Sequence, residues 1–123
     1  MDKLTTVKTV GKEFPDKIAS GIAWFTFITA INNIHLSRRE LELLAFINSR
    51  GTISSISAKD EFCKIFGTSK ATISNMVSKL SSFKLLVKEK SKTRINPSIR
   101  VDFSNDLFIK LFIKTKEETE NAS

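Results

Sequence analysis

A mainly α chain carrying one small β hairpin is the fold class that the sequence predicts, on three observations. In residues 68–80, Ile73, Met76, Val77 and Leu80 recur at the spacing of a single helical stripe. The other face of that helix carries small or hydrogen-bonding side chains: Lys70, Ala71, Thr72, Asn75, Ser78 and Lys79. Just ahead of it, a shorter helical pattern with Phe62, Ile65 and Phe66 closes at Gly67, so a helix, a tight turn and a second helix follow one another. Directly behind it, residues 85–90 read as a charged strand. Ser91 and Lys92 make a turn, and residues 93–96 return as a second strand before Pro97 stops it.

Taken in order, residues 1–13 alternate polar and apolar positions loosely, as a tail or a short edge strand does. Phe14, Pro15 and Asp16 form a helix entry, with the proline tolerated in the first turn. Ile18, Ile22, Ala23, Trp24, Phe25, Phe27, Ile28, Ala30, Ile31 and Ile34 then make residues 18–34 strongly apolar. A membrane span needs about 20 apolar residues, and this run is shorter and interrupted by polar side chains. It is expected to be a buried helix or a dimerisation helix, with a strand at residues 23–31 as the other option because Phe, Thr and Ile favour sheets.

The single histidine, His35, has no second metal-ligating neighbour and is expected in a loop. Ser37 and Glu40 match a capping box, with Leu36 and Leu41 at the spacing of a hydrophobic staple. The helix they open carries Leu41, Leu43, Leu44, Ala45, Phe46 and Ile47 and ends at Gly51. Residues 52–56 are a loop or a small strand. Ser57 is expected to cap the next helix, residues 58–66, with Asp60 and Glu61 in its first turn and Phe62, Ile65 and Phe66 inward. Cys63 reads as a small core residue. Residues 101–116 fit a strand, through Leu107, Ile109, Leu111 and Ile113, or a helix that adds Phe108 and Phe112. The last residues are a polar tail.

At 123 residues the chain suits one domain with a real core. A lone cysteine makes no internal disulfide, and the first fifteen residues lack a secretory pattern, so the expected address is cytoplasmic. The net charge is +7, and residues 68–100 hold eight basic side chains against Glu89 alone. The whole excess therefore lies on the turn motif and its hairpin, as phosphate neutralisation requires. Catalysis is not expected. No nucleophile and base stand at a catalytic spacing, no glycine-rich phosphate loop occurs, and Asp60 and Glu61 are adjacent on a helix and cannot oppose each other. No cofactor or metal is implied.

Residues 36–102 resemble the winged helix-turn-helix class of small transcription regulators and replication initiators. The capped start at Ser37, Gly67, the Ser-Lys-Ala-Thr-Ile-Ser-Asn run at residues 69–75 and the charged hairpin closing at Pro97 carry the likeness. The resemblance implies three parts: an N-terminal arm and apolar helix at residues 1–35, the winged helix-turn-helix at 36–102, and a C-terminal extension, strand or helix, at 103–123. It places base contacts on Lys70, Ala71 and Asn75. Phosphate contacts fall on Ser69, Thr72, Ser74 and Lys79, with Lys88, Lys90, Lys92 and Arg94 on the wing. No arginine stands in the recognition helix. The implied partner is double-stranded DNA, bound by a homo-oligomer joined through residues 18–34 or 108–113. More faintly, the chain looks like small proteins of tailed bacteriophages, including crAss-like ones. The alternative it raises is a virion subunit, a ring or head-tail connector component, that uses the same helices to pack on neighbours.

Overall fold

Asp16 opens the first helix, α1 (Lys17–Ile31), its carboxylate accepting from the Ala19 amide at 2.8 Å. A computed structural model describes residues 16–103 of the chain. The readings for residues 1–13 and for most of 101–116, including the candidate oligomer segment at 108–113, lie outside them. α1 settles the choice for the apolar run: it is a helix, not a strand, and it starts later than a proline in its first turn would require. No described helix is long and apolar enough to cross a membrane. Three further helices and two strands follow: α2 (Arg38–Arg50), α3 (Ile56–Phe66), α4 (Lys70–Ser82), β1 (Leu86–Glu89) and β2 (Lys92–Ile95). The described fold is thus mainly helical, with one small antiparallel sheet.

α2 lies at the centre. Its Leu43, Leu44, Ala45, Phe46 and Ile47 are all fully buried. Five consecutive residues sweep more than one turn of helix, so this stretch is covered on every side. α1 packs against it through Gly21, where an added Cβ would lie 2.8 Å from the Cβ and 3.0 Å from the Cα of Ala45. On α2's other flanks Phe46 meets Phe62 edge-on, with ring centroids 5.3 Å apart, and Phe62 in turn meets Phe66. Ile73, Leu80, Leu86 and Ile95 complete the core from α4 and the hairpin.

The capping box at the start of α2 forms as its sequence requires: Ser37 Oγ accepts from the Glu40 amide, and Glu40 Oε1 accepts from the Ser37 amide at 2.7 Å. Gly51 ends the helix in the left-handed region at φ 95°. Leu36 and Leu41 are half-buried against the core, and His35 is an exposed loop residue.

Residues 52–55 form a loop, and its side chains take the part of a strand. Thr52 Oγ1 donates to the Thr93 carbonyl at 2.8 Å, and Ser54 Oγ accepts from the Thr93 amide at 2.7 Å. With Ser54 engaged by β2, Ser55 is the next serine in line and caps α3, accepting from the Ala58 amide at 3.0 Å. Ser57 is therefore not the cap, and Asp60 and Glu61 stand beyond the first turn. Ile65 does not face inward. It is 55% exposed, because α3 buries only the side that carries Phe62.

The hairpin turn also differs from the sequence reading by one residue. Glu89 pairs with Lys92, leaving Lys90 and Ser91 as a two-residue loop, both at positive φ, 51° and 68°. Leu86, Lys88, Thr93 and Ile95 share the hairpin face toward the helices, while Val87, Glu89, Lys92 and Arg94 share the outer face. Beyond β2 the chain returns over α1 and α2. Trp24 Nε1 donates to the Ile99 carbonyl at 2.8 Å, and the Asn48 amide bonds both the amide and the carbonyl of Val101.

Candidate nucleic-acid interface

The turn between α3 and α4 is three residues long, and it aims α4. Gly67 adopts φ 66° and ψ 47°, and its amide and that of Thr68 both donate to the Cys63 carbonyl. Ser69 then caps α4, accepting from the Thr72 amide at 3.2 Å, with the two hydroxyls 3.0 Å apart. α4 buries Ile73, Met76 and Leu80 and leaves Ala71, Thr72, Ser74, Asn75 and Ser78 exposed. Among the described residues the side chains of Ser74 and Asn75 make no hydrogen bond. The helix thus presents a narrow ridge of small and polar groups with unused donors and acceptors.

The two lysines assigned to this helix are engaged. Lys70 Nζ lies 3.0 Å from Asp60 of α3, both side chains being more than half exposed. Such a pair is worth about 0–1 kcal/mol and exchanges partners easily. Lys79 Nζ lies 3.0 Å from Glu40, whose side chain is only 10% exposed and also closes the capping box. Burial alone would push the Glu40 carboxyl up, but the Ser37 amide and the Lys79 ammonium outweigh it and hold it below its ordinary value of 4.5. Lys79 is in the first place a tie between α4 and α2.

Glu42 and Glu61 are likewise taken up, whereas Glu89 of β1 forms no ion pair among the described residues. Glu42 holds Arg38 and Arg39, and Glu61 holds Arg50 through two contacts of 3.2 and 2.6 Å. The guanidinium of Arg50 keeps the Glu61 carboxyl below its ordinary range. By contrast, Lys88, Lys90, Lys92 and Arg94 form no ion pair among the described residues. Positive potential is therefore concentrated on the hairpin.

The pleat divides these cations. Lys88 lies on the α4 side, Lys90 at the tip, and Lys92 and Arg94 on the outer face. Arg94 is half-buried, and its Nε is enclosed without a hydrogen-bond partner. Between α4 and the hairpin lies an open cleft of about 340 Å³. Ser74 and Lys88, both assigned from the sequence, meet there, and so does Lys59 of α3, which was not. The only sequence signal for Lys59 is its place in the helix before the turn. Its meeting with Lys88 is a product of the fold.

Among the described residues no three of His, Cys, Asp and Glu gather as a metal site would require. No family model, curated protein or solved structure matches the chain.

Proposed function

We propose that this chain binds double-stranded DNA as a winged helix-turn-helix protein, serving transcriptional or replication control. In this reading α4 enters the major groove and the β1–β2 hairpin lies along the backbone. The observation that carries it is the pairing of an uncluttered α4 ridge with a neighbouring hairpin whose four cations form no ion pair among the described residues and outnumber its one acid, Glu89. A helix with its side chains is about 10–12 Å across, and the major groove about 12 Å wide, so small residues on the entering face favour insertion. Asn75 has the donor and acceptor to pair with adenine, and Lys70 reaches guanine after releasing the weakly held Asp60. Ser69, Thr72 and Ser74 offer hydroxyls to phosphates, and Lys88, Lys90, Lys92 and Arg94 offer charge.

The test is fluorescence anisotropy with a labelled duplex of mixed sequence, titrated across salt. Four hairpin contacts predict that log Kd against log salt has a slope of about 3.6 in magnitude. Lys90→Ala should weaken every duplex alike, and Asn75→Ala should flatten preferences between sequences. Absence of binding to any duplex at low salt would end this proposal. If the mass of the free protein then proved to be that of a large ring, the virion-subunit reading would take its place.

A further inference from the structure

The cleft between α4 and the hairpin combines features that separate surface lysines do not. Its lining includes two basic residues, Lys59 and Lys88, the serines Ser74 and Ser91, and an apolar floor of Val77 over the buried Ile73. No acidic side chain lines it. Neither lysine has an ion-pair partner among the described residues. One belongs to α3 and the other to the helix-facing side of β1, and both border one volume of about 340 Å³. Two cations beside one cleft with no acid in its lining favour an anion there. The apolar floor suits something larger than a bare anion, because it offers contact to carbon atoms attached to the charged group.

We propose that this cleft seats one phosphodiester of the DNA backbone, the phosphate held between Lys59 and Lys88 and the adjoining deoxyribose laid over Val77. The inference rests on duplex binding as proposed above, and it assigns Lys59 a role of its own. Ser74 and Ser91 supply hydroxyl donors to the non-bridging oxygens. Lys92 and Arg94, on the outer face of the hairpin, meet other phosphates of the duplex. The cleft thereby sets the register of α4 in the groove, since it lies directly beside the ridge that carries Asn75.

The experiment compares wild type, Lys59→Gln, Lys88→Gln, the double variant and Lys59→Arg in salt titrations against one duplex. A parallel titration adds inorganic phosphate and follows the amide signals of Ser74 and Ser91 by NMR. Each single glutamine variant is expected to lower the salt slope by about 0.9 and to weaken binding about tenfold at low salt. The double variant should lose less than the two single losses combined, because one phosphate serves both lysines. Lys59→Arg should restore the slope, which a merely misfolded variant would not do. An unchanged slope in Lys59→Gln, with wild type binding the duplex normally, overturns the cleft assignment and leaves duplex binding standing. Failure of wild type to bind duplex removes the foundation instead. Saturable binding of free phosphate at micromolar concentration, with no effect of either lysine on duplex affinity, overturns the proposal in favour of a small-anion site.

Discussion

Gly21 shows how one residue's environment reverses its ordinary preference. Alanine is favoured over glycine by about 1 kcal/mol in the middle of a helix. Here the added methyl would meet the Cβ and backbone of Ala45, so α1 and α2 would have to separate. Gly21→Ala is expected to lower stability by about 1–2 kcal/mol in urea denaturation, and Ala45→Gly in the same chain should recover part of it. A gain in stability from the single change would show that the helices are not in close contact. The hairpin turn gives the opposite sign. Ser91 sits at φ 68°, where a side chain costs about 1–2 kcal/mol and glycine does not. Ser91→Gly should therefore stabilise by about 1 kcal/mol, and an unchanged urea midpoint would contradict the turn geometry. The sequence could not place this turn, because neither Lys90 nor Ser91 is a residue that such turns usually select. The register follows instead from Leu86 and Ile95 meeting in the core.

Among the elements, α2 was the most legible, since its cap, its staple residues and its terminating glycine are all local signals within the chain. The capping box acquires a second duty in three dimensions, as the anchor for Lys79. Because the Glu40 carboxyl is lowered in the folded chain, its contribution is complete above its ordinary value of 4.5 and is lost as pH falls through the lower folded value. Glu40→Gln should reduce stability at neutral pH, and its difference from wild type should shrink steadily below about pH 4.5. Denaturation curves for the two proteins that stay parallel through acid would exclude this linkage. Lys79→Ala should cost about 1–3 kcal/mol by leaving a mostly buried carboxylate with one partner fewer. Lys70→Ala, at an exposed pair, should cost under about 1 kcal/mol. α3 was less legible. Ser57 was the expected cap, but Ser55 takes that place, one residue beyond the Ser54 that Thr93 engages.

For the whole molecule, charge and hydrophobicity are segregated in different ways. The excess charge of the chain resides in residues 68–100, while α1 is apolar around its circumference and buries fully only Gly21, Phe25 and Thr29. Ile31, Ile56, Ile65 and Phe83 remain exposed large apolar groups. Ile56 and Ile65 are nine residues apart on α3, about half a turn out of phase, so they do not form one patch.

The identities of α2, α3, α4 and the hairpin, the capped start of α2, both terminating glycines and the burden of positive charge were determined by the sequence itself, because each depends on neighbours a few residues away. Tertiary structure alone decided that α1 is a helix, which serine caps α3, where the hairpin turns, that Glu40 holds Lys79, and that Lys59 and Lys88 border one cleft. Those choices depend on contacts with the rest of the folded chain, as with Ser54 and Thr93, and no local propensity distinguishes among the alternatives until the chain has closed on its core.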